Sequence, residues 1–523
     1  MMQKNYVSIK NNYFEIVTII FFSLAISLSY SYLQYAIDGG LVLSKKINYP
    51  DSLSPMLYYY LNSWTLLHQI THFFIKLNFT VEFASQIILF CSTFFFSLGV
   101  FLLSNSVTQN RFLALLISFV SIFLGKNFGD TDYPSLIFSA HTYGMMSFAL
   151  VSLIFGLLAN RNFFTSSFVT IVLISFHPLV GIWMMLLSFI NLFFLNFTKK
   201  EKFYIYLGFF LGSAIALTSF SLFYINSIEK LSIDRNLFRI YLEFWDGHRS
   251  LIGNIHYGYL FKTLILFIFS IFFILNTKKN MVEEKNVSIF TIATSIFFST
   301  ALYLAYKMIP KIFPEFLIIS MPTRFIMLHS FIGWPLILSF LFFFLNQRFN
   351  KSGSKILISS FIFLTLILIQ NYKKMNTIKN SLTSNILINN KTSKVLNYLK
   401  DLNYDNYVLT SSNIVPIIFK KTEKPVLLHT ESMDFIPYHP YLADKFFNIL
   451  EVIYDINKYE PPQKNNPSLP DKYIKQVFEN KKPLEWLKIK NKFNIEYLIL
   501  PADWKINLEL VIKDKDFSLY KIN

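Results

Sequence analysis

The sequence predicts an α-helical polytopic membrane protein of about eleven spans, followed by a C-terminal soluble α/β domain. Three observations lead there. Of the 523 residues 53% are hydrophobic and only 15% charged, a balance that suits a chain dissolved mostly in lipid. Apolar windows recur from residue 14 to residue 372, most of them near the length that crosses a bilayer. Beyond that point polar helical stretches alternate with short apolar runs, the pattern of a small α/β unit.

The windows lie near 14–36, 82–104, 112–125, 142–159, 163–176, 178–197, 203–225, 258–276, 287–307, 325–346 and 356–372. The first is too long for a removed secretory signal and lacks a small-residue cleavage site, so it is expected to stay as an anchor. Every second connection is short and basic: Arg111, Arg161, Lys199 with Lys200 and Lys202, Lys278 with Lys279 and Lys285, then Arg348, Lys351 and Lys355. Such ends face the cytoplasm. The remaining connections carry the acids, among them Asp38, Asp51, Asp130, Asp132, Glu229, Asp234, Glu243, Asp246 and Glu315. The expected topology is therefore a cytoplasmic N-terminus, a membrane domain over 1–372 with a first external loop at 37–81, and an extracytoplasmic domain over 373–523. In that tail YVLTSS, KPVLLHT, IEYLILP, LELVIKD and FSLYKI read as strands and TSKVLNYLKDLN as a helix. YEPPQKNNPSLPDKY, rich in Pro and Asn, reads as an exposed loop.

Two functional classes drop out early. A net charge of +17 without a basic, aromatic-interleaved stripe on a soluble face fits anionic lipid and gives no support to nucleic-acid binding. A single cysteine, Cys91, excludes an intrachain disulfide and a cysteine-rich metal site.

The chemistry-bearing residues gather at the outer ends of the spans. Asp38 stands at the mouth of the first, followed by two glycines in YAIDGGLVL. A solvated helix end is the plain reading, since a carboxylate that meets water costs little. GKNFGDTDYPS after the third span carries Asp130 and Asp132 one residue apart, a pair suited to an oxygen-liking divalent cation such as Mg or Mn. Cationic groups for a phosphate are Lys45 and Lys46 in the first loop, His248 and Arg249 in EFWDGHRS, and Arg324 in MPTRF. Arg324 is the best placed of these, because a guanidinium grips phosphate by two hydrogen bonds; snorkelling to headgroups is its alternative reading. His141 and His177 sit at the same rim, where helix-end hydrogen bonding competes with phosphate contact or proton shuttling. His68 and His72 in HQITH lack the glutamate of the zinc-protease motif, Gln69 standing in its place. LNSWTLLHQITHFFIKL therefore reads as an amphipathic helix on the membrane surface.

A first-loop acid after the first span, surface helices in that loop, D-x-D after the third span and an external C-terminal α/β domain resemble the GT-C membrane glycosyltransferases. Among them are protein mannosyltransferases, aminoarabinose transferases and oligosaccharyltransferases. The resemblance implies that Asp38 is the catalytic base or orients the acceptor, and that Asp130 and Asp132 hold a metal ion near the donor phosphate. No WWDYG-like acceptor motif occurs in the tail. The implied activity is transfer of a sugar from a polyprenyl-phosphate carrier to an envelope glycan, lipid or protein acceptor, in the bacterial inner membrane with the site on the periplasmic side. The competing readings are a transporter, flippase or polymerase of lipid-linked sugar, or a noncatalytic membrane scaffold. Transporters place polar or broken-helix sites near mid-membrane, whereas here the charges cluster at the rim.

Overall fold

A computed structural model describes residues 13–30, 33–124, 137–139, 141–229, 231–246, 257–276, 279–309, 317, 323–348, 393–404, 406–431 and 433–523. The chain is a polytopic helical membrane protein with a small C-terminal sheet domain. Among the described residues, Val81–Thr108, Thr142–Ala159, Lys199–Asn226 and Val287–Met308 are long and apolar enough to cross a membrane, and further apolar helices of 10–17 residues accompany them. The expected window 356–372 lies outside the described residues.

The first window does not form one helix. Helix α1 (Tyr13–Ser29) stops, and after Gln34 a separate eight-residue helix α2 (Ala36–Leu43) begins. Polar clamps fix the break. The Gln34 amide nitrogen donates to Ser85 Oγ at 3.1 Å, and Thr142 Oγ1 donates to Gln34 Oε1 at 3.1 Å. Asp38 is therefore not the end of a span: it belongs to α2. Two more helices complete the loop, α3 (Pro55–Asn62) and α4 (Leu66–Lys76), each capped by a hydroxyl, Ser54 and Thr65, that accepts from an otherwise orphaned amide.

The spans pack through glycine. Helices α5 (Val81–Thr108) and α7 (Thr142–Ala159) cross where a β-carbon at Gly99 would overlap the Ser152–Leu153 backbone and one at Gly156 would overlap Gly99. Small residues let helices approach to backbone contact, the main source of association in lipid. Helix α6 (Arg111–Leu124) lies beside α5, with Ser118 donating to Ser97 O at 2.8 Å. Helices α8 (Phe163–Phe176) and α9 (Pro178–Phe194) meet at His177, and α10 (Lys199–Asn226) packs Gly208 and Gly212, the ends of GFFLG, onto Phe164, Phe168 and Ile171 of α8. The outer face of α9 and α10 exposes Phe193, Phe194, Phe210 and Leu217, as a lipid-facing surface should.

After α10 come α11 (Arg235–Ile240) with a π turn at Tyr241–Trp245, then α12 (Tyr257–Asn276) and α13 (Lys279–Met308). Asn191 donates to Thr291 at 2.8 Å and Trp183 to Ser295 at 3.4 Å, so α9 and α13 run antiparallel. The expected window 325–346 is broken into α14 (Thr323–Ile326), a 3-10 turn at Met327–His329 and α15 (Gly333–Arg348).

In the C-terminal part, α16 (Lys394–Asp401) precedes a sheet of order β1-β2-β4-β3, built from β1 (Tyr407–Thr410), β2 (Ile495–Pro501), β3 (Glu509–Lys513) and β4 (Phe517–Lys521). β1 and β2 are parallel and the others antiparallel. KPVLLHT contributes only a bridge, Val426 to Val408. Helix α17 (Val415–Thr422) follows β1, and α18 (Ala443–Tyr454), α19 (Asp471–Asn480) and α20 (Pro483–Phe493) fill the rest. The loop at 459–473 is exposed only in its first half. Pro467 and Leu469 are buried, and the Leu469 amide donates to Thr430 O, so its second half straps the domain.

This domain docks on the span connections. Ser54 Oγ donates to Leu427 O at 2.7 Å, Asn62 to the Tyr441 hydroxyl at 2.8 Å and Tyr407 to Asp51 Oδ1 at 2.7 Å. Tyr241 donates to Met433 O at 2.9 Å and Trp245 to Lys458 O at 2.7 Å. At the opposite end of the helices Arg161 pairs with Glu201, joining two of the basic connections. The C-terminal domain and the first loop thus share one end of the helices, and the Arg161–Glu201 pair occupies the other. Single cysteines replacing Lys200 and Lys475, introduced after Cys91 is removed, are expected to react with a membrane-impermeant maleimide from opposite faces of sealed vesicles. Labelling from one face would contradict this arrangement.

Candidate active site

Asp38 is placed by its neighbours in sequence. A β-carbon at Gly39 would overlap the His68 ring, and one at Gly40 would overlap Thr71. The two glycines after the acid therefore let α2 lie directly on α4. Thr71 Oγ1 donates to Ala36 O at 3.1 Å, and His68 shares a hydrogen bond of 2.7 Å with the Tyr143 hydroxyl of α7. Burial holds His68 down at about 4, so it stays neutral. The helix predicted for HQITH is present, but His68 points inward as a strut beneath the acid.

The carboxylate of Asp38 meets a lysine from the other end of the chain. Lys420 Nζ lies 3.1 Å from Asp38 Oδ1, the two side chains being 1% and 5% exposed. Helix α17 delivers it: Pro416 sits in the first turn, where no amide hydrogen is needed, and Glu423, at φ 57°, turns the chain back towards Val426. Lys420 also lies over the Tyr35 ring at 5.6 Å, and Phe419 meets Tyr60 at 5.7 Å. The next residue, Lys421, pairs with Glu82 at the start of α5.

These groups form a cleft between loop and domain. Tyr35, Asp38, Tyr59, Tyr60 and Tyr143 line one side and His429, Glu431, Asp434 and Phe435 the other. Burial raises the Asp38 carboxyl to about 6 even though Lys420 opposes the shift. Burial likewise raises Glu431 to about 7, with Lys420 again opposing, and its Oε2 is buried with no hydrogen-bond partner. His429 is pushed down to about 3 by burial and then by Lys420. An acid titrating near neutrality in a half-open, aromatic-walled cleft is suited to accept a proton from a hydroxyl. Tyrosine rings give such a hydroxyl-bearing ligand apolar faces to lie on.

The other expected residues distribute unevenly. His141 occupies the N-cap position of α7 without a side-chain capping bond, its ring 5.8 Å from Tyr35 beside the cleft. His177 stands at the corner between α8 and α9, where the neighbouring Phe176 carbonyl accepts from Thr65. Lys45 is exposed, at φ 57°, and Lys46 opens on a different hollow with Lys400 and Lys424; neither reaches Asp38. Arg324 belongs to α14, its side chain lying outside the described residues, as do Asp130, Asp132, His248 and Arg249 entirely. Among the described residues no group of three or more His, Cys, Asp or Glu side chains could hold a metal ion.

Sequence reading missed Lys420, His429, Glu431 and Asp434. The lysine pair KK at 420–421 reads as an ordinary basic helix end. LLHTESMDF, three titratable residues in an apolar run, was the available signal.

No family model and no curated protein matches the chain. Among solved structures it is similar to the crystal structure of ArnT from Cupriavidus metallidurans in the apo state, with 7% identity, 97% of this chain and 98% of that chain covered, and a TM-score of 0.36. Agreement that loose decides neither family nor chemistry.

Proposed function

We propose that the chain is a membrane glycosyltransferase, moving a sugar from a polyprenyl-phosphate-linked donor to an envelope glycan, lipid or protein acceptor on the extracytoplasmic face. The observation that carries this reading is the buried Asp38, held on a first-loop helix and enclosed by the C-terminal domain at the outer rim of the spans. A rim site of this kind fits an amphiphilic donor, whose lipid stays in the bilayer while its phosphosugar enters the cleft.

In this reading Asp38 takes the acceptor hydroxyl proton as the oxygen attacks the anomeric carbon. The bond from that carbon to the phosphate oxygen breaks, and polyprenyl phosphate leaves. Arg324, Arg249 and His248 are our candidates for the leaving phosphate, which needs cationic partners at the same rim. Asp130 and Asp132 stay the candidate ligands of a divalent cation; no step here runs through it.

The test is a pH profile on purified protein. A base works only when ionised, so turnover should climb as pH rises through about 6, the value to which burial lifts Asp38, and level off above it. Turnover independent of pH between 5 and 8 would remove Asp38 from the base role.

A further inference from the structure

We propose that Lys420 is the positioning residue of this site: the docked C-terminal domain supplies the ammonium that keeps the first-loop carboxylate ionised and aimed. The inference rests on the assignment of Asp38 as the reacting acid and adds what makes that acid usable.

The argument begins with cost. A carboxylate this deeply enclosed loses its hydration and tends to bind a proton instead. A cation at ion-pair distance offsets part of that tendency, and among the described residues Lys420 alone stands that close to Asp38. The other titratable groups facing it do not help. Tyr35 comes from its own segment, Tyr49, Tyr59 and Tyr60 from the rest of the loop, His68 from α4 against the neighbouring Gly39, and Tyr143 from α7. His429, Glu431 and Asp434 come from the C-terminal domain. Glu431 disfavours a second negative charge, while His68 and His429 are held neutral by burial.

Geometry ties the ammonium to docking. Lys420 is anchored between Lys421, which pairs with Glu82 on α5, and Phe419, which packs on Tyr60. The interface hydrogen bonds from Ser54, Asn62 and Tyr407 hold the same two bodies together. Asp38 lies on one body and its counter-charge on the other. Docking therefore buries the acid and delivers its counter-charge in the same step.

The experiment measures the Asp38 proton directly and needs no substrate. A hydrophobic carbodiimide modifies buried carboxyl groups in their protonated form, and the extent at Asp38 is read by mass spectrometry of the full-length protein in lipid nanodiscs across pH. In the wild type, modification should fade as pH rises through about 6. Lys420→Met should move the midpoint up by roughly 1–3 units, the usual effect of an adjacent opposite charge, so that Asp38 is modified strongly at neutral pH. Lys420→Arg keeps the charge and should hold the midpoint near wild type. An unchanged midpoint in Lys420→Met would overturn the proposal. Should that variant fail to accumulate, Lys420→Gln, which removes the charge but keeps a polar group, decides by the same reading: a raised midpoint supports the proposal and an unchanged one overturns it. If the midpoints behave as expected while no sugar transfer is found, the ion pair stands and the transferase reading falls.

Discussion

Asp38→Asn is expected to lower turnover by about 10²–10⁴-fold, the contribution typical of a positioned base. The amide keeps the shape and still accepts a hydrogen bond, but it cannot take the acceptor's proton. The substitution also touches stability. Lys420 is buried against this carboxylate, and removing one partner of a buried pair costs about 3–5 kcal/mol, because the other charge is left uncompensated. Reduced accumulation of Asp38→Asn is therefore part of the expected result. Asp38→Asn combined with Lys420→Met should recover accumulation without recovering turnover. Single-variant turnover within a few-fold of wild type, on folded protein, would take the base role away from Asp38.

Gly99→Leu is expected to abolish membrane accumulation of the folded protein. The atoms that a side chain would meet are backbone atoms of Ser152 and Leu153 on α7, and helix backbone cannot rotate away as a side-chain tip would. Overpacking typically costs 1–3 kcal/mol where neighbours can relax; here α5 and α7 would have to separate along their whole crossing. α7 carries Tyr143 and Thr142, which support His68 and the Gln34–Ala36 turn, so a partial separation should also displace Asp38. The check is size-exclusion elution and thermal melting in detergent, with Gly99→Ala as the milder comparison. Wild-type melting of Gly99→Leu would mean that the crossing is looser than described.

Much of the fold was legible because the bilayer imposes a single strong rule. Windows of apolar residues become helices wherever backbone groups have no water to bond, and the described windows from 82 to 307 did so within a few residues, except that α13 begins at Lys279, well ahead of its window at 287. The first and tenth windows were misread for one reason: hydropathy reports burial in lipid or protein alike. Ala36, at the end of the first window, is apolar because α2 is enclosed by protein, and Ile326, Met327 and Leu328 of the tenth are likewise packed inside. The strands of the tail followed from alternation and β-branched content, except at KPVLLHT, which contributes a single bridge.

The site was legible only in half. Asp38 stood out because it opens the first loop directly after an apolar window, the place to which the resemblance assigns the reacting acid, and the glycines after it now have a reason in the closeness of His68 and Thr71. Lys420 carried no such signal. It is followed by Lys421, which does meet an exposed partner in Glu82, and nothing local distinguishes the two. Their roles diverge through docking between segments more than three hundred residues apart in sequence, a contact that no periodicity encodes. GFFLG, by contrast, is a local motif whose packing onto α8 could have been read from its spacing.

The central claim is that this cleft transfers sugar from a lipid carrier with Asp38 as base, and the pool of lipid-linked sugar tests it most directly. Lipids extracted from cells expressing the wild type, Asp38→Asn or no protein are compared by mass spectrometry for polyprenyl-phosphate sugars. The account predicts that one such donor accumulates equally in the Asp38→Asn and protein-free cells and is depleted by the wild type. Identical pools in all three, or depletion by Asp38→Asn as complete as by the wild type, would contradict it.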